Sequence, residues 1–192
     1  MLVIENHKLS NSLLKMPRNF KIIQLKATKE ESLIGVISDT HVPIGRKEIP
    51  AQIRKVFKNV DLIIHAGDLV TLEVIEELEK IAPVIAVHGN MDTREVKEKL
   101  PPAICLKIYD WKVGIIHNSV FPLFGWRMGK LAKKNHFNVL IFGHTHRPFL
   151  KGNGILIINP GSPTDPLWSK PSVALLKIDK HSYKGKIVYL TQ

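Results

Sequence analysis

Leu33-Ile34-Gly35-Val36-Ile37-Ser38-Asp39-Thr40-His41 is a continuous apolar run that stops abruptly at Ser-Asp. A strand buried on both faces reads this way, because neither face has to present polar groups to water. The pattern returns twice. Residues 60–65 form an apolar run that leads into Ala66-Gly67-Asp68, and residues 84–88 lead into Gly89-Asn90. Between them, Ile49, Ile53, Val56 and Phe57, and then Leu72, Ile75, Leu78 and Ile81, recur at helical spacing. Strand and helix alternate, so this half is built of βαβ units around a parallel sheet.

The second half has a different rhythm. Residues 104–108 and 112–117 flank Tyr109-Asp110-Trp111 and read as a hairpin, followed by a helix over 126–134. Residues 139–142, 155–158, 173–178 and 186–190 then read mostly as strands. A run of strands after βαβ units predicts a second sheet packed on the first, with helices outside. Residues 1–31 lack regular periodicity and carry Pro17. They are read as a short N-terminal extension, partly ordered at best, or as the product of a start set upstream of Met16. The domain proper is placed at 32–192, and deletion of residues 1–31 is expected to leave function intact.

A chain of 192 residues with 44% hydrophobic and 23% charged residues fits one globular domain. One cysteine, Cys105, excludes an internal disulfide. No run approaches the roughly 20 apolar residues of a membrane span. Lys8, Lys15, Arg18 and Lys21 interrupt any signal-peptide core, so a cytoplasmic protein without membrane contact is expected. The net charge of +11 favours anionic partners in general. The basic residues are scattered, with no dense Lys/Arg run, which argues against nucleic acid as the substrate.

Seven side chains with metal-ligand chemistry lie at or beyond these strand ends: Asp39, His41, Asp68, Asn90, His117, His144 and His146. Ligands collect at this rim of open α/β sheets, because the strands deliver side chains to it. Each motif alone has a plainer reading. Asp-x-His is a turn with a surface histidine, Gly-Asp is a turn signal, and His117 could be a satisfied core histidine. Asp92-Thr93-Arg94-Glu95 matches a helix-capping box, which gives Asp92 a structural role. The conjunction of order, placement and residue type points instead to a dinuclear metal site. Four imidazoles with carboxylate and amide oxygens suit Mn, Fe, Zn, Co or Ni better than Ca or Mg. Gly67, Gly89 and Gly143 each precede a ligand and permit close backbone approach. His7, His136 and His181 read as surface residues, and His65 and His88 as candidates to support the ligands.

The pattern D-x-H, GD, GN, H, GH-x-H closely resembles the calcineurin-like metallophosphoesterase superfamily. Asn159-Pro160-Gly161-Ser162 and the short length resemble its small YfcE-type phosphodiesterase branch. The resemblance covers residues 33 to the C-terminus and implies two mixed β-sheets packed as a sandwich with helices on the outer faces. It implies one ion on Asp39, His41 and His146, another on Asn90, His117 and His144, and Asp68 bridging both. Two ions roughly 3.5–4 Å apart, most often Mn, would activate a bridging water for in-line attack on phosphorus. No protein nucleophile is then needed, and Cys105 has no assigned role.

Two departures stand out. Met91 occupies the place where many members carry a histidine that protonates the leaving oxygen, an acid worth about 10²–10⁴-fold; the YfcE-type branch also lacks it. Asn118 follows His117 where relatives have glycine. Beyond it, residues 119–125 form an apolar, aromatic loop that could wall the site, fill the core or join copies, since relatives are often dimers or tetramers. Asn90, Arg147 and Ser162 are candidates for substrate contact. The expected function is hydrolysis of a small or nucleotide-like phosphodiester. Alternatives are a phosphomonoesterase, a nuclease, or a protein-interaction scaffold like the retromer subunit that shares this fold with a degraded metal site.

Overall fold

The computed structural model describes residues 2–5, 20–117 and 124–190. Among the described residues, twelve strands run in chain order: β1 (Leu2–Glu5), β2 (Lys21–Ala27), β3 (Glu31–Ile37), β4 (Leu62–His65), β5 (Val84–Ala86), β6 (Ala103–Ile108), β7 (Trp111–Ile116), β8 (Val139–Phe142), β9 (Pro148–Asn153), β10 (Ile155–Pro160), β11 (Ser172–Asp179) and β12 (Tyr183–Tyr189). The helices are α1 (Gln52–Val56), α2 (Glu73–Glu79), α3 (Arg94–Lys99) and α4 (Phe124–Lys134).

The strands form two mixed sheets. One has the order β12-β11-β3-β4-β5 and the other β1-β2-β6-β7-β8-β10-β9. The βαβ half supplies the parallel run β3, β4, β5. The later strands divide: β6 to β10 build the second sheet, while β11 returns to pair antiparallel with β3 and brings β12 with it. The expectation that the later strands simply make the second sheet therefore holds only as far as β10. Between the sheets lies one core, which includes Ile34, Val36, Leu62, Ile64, Ile85, Leu106, Ile115, Val139, Ile141, Ile158, Ala174 and Leu176. Ile53, Val74, Leu78 and Val96 of the first three helices cover the five-stranded sheet. Met128 and Ala132 of α4 cover the seven-stranded one, against Leu140, Phe142 and Ile157. This is the sandwich with outer helices. Among the described residues, no helix is long and apolar enough to cross a membrane.

Residues 21–27, assigned above to the extension, are β2 of the seven-stranded sheet. β2 pairs in parallel with β6, from Lys21 opposite Ile104 to Leu25 opposite Ile108. Ile23 and Leu25 point into the inter-sheet core, while Ile22 packs towards the α4 side. β1 adds antiparallel to β2. β9 was not expected either: it starts with a proline and contains Gly152, features that suit only an edge strand. The aromatic loop at residues 119–125, read above as a wall, as core or as a contact between copies, falls largely on residues 118–123, outside those described.

Candidate metal centre

Every candidate ligand lies beyond the C-terminal end of a strand. Asp39 and His41 follow β3, Asp68 follows β4, Asn90 follows β5, His117 follows β7, and His144 and His146 follow β8. The chain is turned sharply there. Asp39, His41, Asp68, His144 and His146 all have positive φ, between 47° and 74°. Non-glycine residues hold such a conformation at a cost of about 1–3 kcal/mol each, and they cluster where the surrounding structure imposes it. Backbone bonds from Asp39 N to Gly67 O (3.0 Å) and from His41 N to Asp68 O (3.1 Å) tie the first two loops together.

The side chains fall into two groups of three, Asp39 with His41 and His146, and Asp68 with His117 and His144. Within each group the potential ligand atoms lie within 4.8 Å of one another. Each group draws on both sheets. Asp68 reaches into both groups, with Oδ2 3.1 Å from His117 Nε2 and 3.7 Å from His41 Nε2. Asn90 Oδ1 lies 3.1 Å from His117 Nε2 and 3.0 Å from His144 Nδ1. All seven residues are thus brought together.

The imidazoles are oriented from behind. His117 Nδ1 is 2.9 Å from the Ala66 carbonyl, and His146 Nδ1 is 2.6 Å from the Asp165 carbonyl. In each case the carbonyl accepts a hydrogen bond from Nδ1–H, which fixes the ring with Nε2 facing inward. Asp68 Oδ2 and Asn90 Oδ1 both lie close to His117 Nε2, so a neutral ring would set acceptor against acceptor there, and a proton or a cation has to stand between them. His41 Nε2 is buried and has no hydrogen-bond partner, an arrangement that costs free energy unless something fills it. Burial pushes the Asp39 carboxyl up, against the pull of His117 and His146. His117 is raised, because Asp68 and Asp39 outweigh the effect of its burial. Asp68 is lowered despite burial, by the hydrogen bond and charge of His117 and the Met91 N–H. A divalent cation resolves all of these tensions at once, so the donor set fits one.

Three glycines make room for the His117 ring. A Cβ at Gly67 would lie 2.6 Å from His117 Cβ, and one at Gly89 2.2 Å from Asp68 Oδ1 and 2.6 Å from His117 Cδ2. A Cβ at Gly143 would lie 2.0 Å from Ser38 Oγ and 3.0 Å from His117 Nδ1. Only Gly67 also has a positive φ, +92°. Gly89→Ala should therefore displace Asp68 and His117. Overpacking of this kind costs about 1–3 kcal/mol, and the expected result is loss of bound metal on dialysis with the circular dichroism of the fold retained.

A model of the calcineurin-like phosphoesterase superfamily domain matches residues 33–181. The chain belongs to that superfamily. It is 42% identical over 158 residues to a probable metallophosphoesterase of Methanothermobacter thermautotrophicus, covering 81% of this chain and 91% of the relative. It is 34% identical over 171 residues to a phosphodiesterase of Methanocaldococcus jannaschii, covering 79% and 96%. Among solved structures, zinc-complexed Vps29 of Entamoeba histolytica superposes with a TM-score of 0.67 at 26% identity, over 82% of this chain and 98% of that one.

Several residues of this phosphoesterase site escaped the sequence reading. Asp92 does not cap α3; Thr93 does, accepting from Val96 N. The Asp92 carboxylate is buried and accepts from the backbone N–H groups of Asp68 (3.2 Å), Val70 (2.6 Å) and Gly89 (2.6 Å). It fastens two ligand loops together. Ser162, expected near substrate, is fully buried and donates to the Asp39 carbonyl at 2.7 Å. It ties down the loop that carries Asp39. Asn159 likewise donates to the carbonyl of Gly143 and to Thr145 Oγ1. Arg147 is exposed at the rim.

His65 hydrogen-bonds to residues that adjoin the candidate ligands in sequence. Its Nδ1 accepts from Gly67 N (3.2 Å), so Nε2 carries the proton and donates to Thr40 Oγ1 (3.1 Å). Burial, with His117 nearby, pushes it down to about 3. It stays neutral when folded, whereas an unfolded histidine binds a proton below about 6.5. Acidification from pH 6.5 towards 3 therefore favours the unfolded chain. The acid-induced fall in urea midpoint over that window should shrink in His65→Gln.

Proposed function

We propose that the chain is a metal-dependent phosphodiesterase acting on a small or nucleotide-like phosphodiester. The observation that carries this reading is the completeness of the ligand set: two groups of three lie side by side, Asp68 of one comes within 3.7 Å of His41 of the other, and the inward-facing His41 Nε2 lacks a hydrogen-bond partner. Asp39, His41 and His146 would hold one divalent ion and Asn90, His117 and His144 the other, with Asp68 common to both. The mix of imidazole and oxygen donors suits Mn, with Ni, Co, Fe or Zn as alternatives. Bound there, the two ions supply a nucleophile from water at neutral pH and charge neutralisation at phosphorus.

The residues of the chain do the positioning. The carbonyls of Ala66 and Asp165 hold His117 and His146 in one tautomer, and Asp92 fixes the spacing of the Asp68 and Gly89 loops. Met91 offers no proton to a leaving oxygen, which favours substrates whose leaving group is already a good one. The scaffold alternative has no support from a damaged ligand set here.

The test is hydrolysis of bis-p-nitrophenyl phosphate beside p-nitrophenyl phosphate by metal-stripped protein refilled with Mn, Ni, Co, Zn or Mg. Diester turnover should return with metal, exceed monoester turnover, and vanish in His146→Ala. Tight binding of two ions without turnover of either ester would leave the scaffold reading in its place.

A further inference from the structure

Six large apolar side chains stand out in water among the described residues: Ile44, Met91, Leu150, Leu167, Trp168 and Tyr189. Four of them lie on loops that carry or hold the candidate ligands. Ile44 is in the turn closed by Gly45 N donating to His41 O (2.8 Å). Met91 follows Asn90, its N–H bound to Asp68 Oδ1 (2.7 Å). Leu167 donates its N–H to His146 O (3.4 Å), and Trp168 comes next. The turn around Ile44 and the loop leading to Trp168 adjoin, since a Cβ on Gly45 would lie 3.8 Å from Asp165 Cβ.

Trp168 is the extreme case. The residue is 88% exposed and its φ is +48°, so burial does not hold it there and its backbone is strained. The Arg147 guanidinium, one residue beyond His146, lies 5.9 Å from the ring centroid. A flat aromatic surface and a cation thus stand together beside the metal centre, on a chain of net charge +11.

We propose that Trp168 and Arg147 form the recognition platform for a nucleoside phosphodiester, with the base stacked on the indole while the phosphate sits at the metal centre. This rests on the phosphodiesterase reading above and specifies its substrate class. Stacking suits such a site because every base has a π-face. The guanidinium adds charge complementarity to an anionic ligand.

Two substrates with one leaving group test it: thymidine 5′-p-nitrophenyl phosphate and methyl p-nitrophenyl phosphate, with the metal-loaded full chain. The wild-type protein should prefer the thymidine ester. Trp168→Ala should raise KM for that ester roughly tenfold or more, moving kcat far less, and so collapse the selectivity. Trp168→Phe should restore most of it. Thymidine 5′-monophosphate should also quench the tryptophan fluorescence of the wild-type protein, a signal lost in Trp168→Ala.

Equal effects of Trp168→Ala on both esters, or no quenching, would overturn the platform. So would a wild-type oligomer that dissociates in Trp168→Ala, since the patch would then join copies. If neither ester turns over but quenching occurs, the phosphodiesterase reading fails and the nucleotide platform stands.

Discussion

Asp68→Ala should lower turnover by more than the roughly 10–100-fold typical of losing a residue that only supports a metal ligand. Asp68 approaches candidate ligands of both groups, and it is almost fully buried. Its two oxygens have separate duties. Oδ1 accepts from Met91 N and so shapes the Asn90 loop, while Oδ2 faces His117 and His41. Alanine removes both, and leaves two imidazoles without the negative charge they surround. Asp68→Asn keeps the shape but halves the acceptors and removes the charge. It should retain more of the fold and almost as little of the activity. Steady-state rates and metal content per chain decide the matter. Full occupancy by two ions in Asp68→Ala, with turnover within tenfold of wild type, would end the shared-ligand reading.

Removal of residues 1–27 should have the largest effect on stability. The sequence alone suggested a dispensable extension, but the seven-stranded sheet includes β2, and the inter-sheet core includes Ile23 and Leu25. Each buried side chain of this size is worth about 1.5–3 kcal/mol, so these two together account for roughly 3–6 kcal/mol. That is a large part of the roughly 5–15 kcal/mol that separates a folded domain from its unfolded chain. The truncation also strips β6 of its neighbour and opens an unpaired edge. Activity should fall because the fold does. A urea midpoint equal to that of the full chain would show that β2 contributes nothing to it.

The contrast between β2 and β3 shows what kind of information the sequence carries. β3 was legible because burial on both faces forces a long apolar run, and the abrupt polar stop marks the rim. β2 carries a real signal, Ile23 and Leu25 alternating with Ile22 and Gln24 between Lys21 and Lys26, but it is short and half polar. It also follows a stretch without pattern, which hides it.

The candidate ligands were legible as a set for a related reason: metal chemistry restricts residue type, and strand ends restrict position. What supports them was not. Asp92 looked like a cap because caps and loop clamps use the same acceptor chemistry. The carbonyls that orient His117 and His146 have no sequence signature, since every residue carries one. Nor does a sequence reveal that a tryptophan such as Trp168 is left in water.

Neither sheet alone holds either group of ligands. Asp39 and His41 come from the five-stranded sheet, but their partner His146 comes from the seven-stranded one. Asp68 crosses the other way to meet His117 and His144. Any ion bound there is a rivet between the two halves of the sandwich. Anything that binds the folded state alone stabilises it by mass action. Loss of metal would then loosen the two sheets at this rim while the core between them stays packed, and a chelator would lower the denaturation midpoint without itself unfolding the chain.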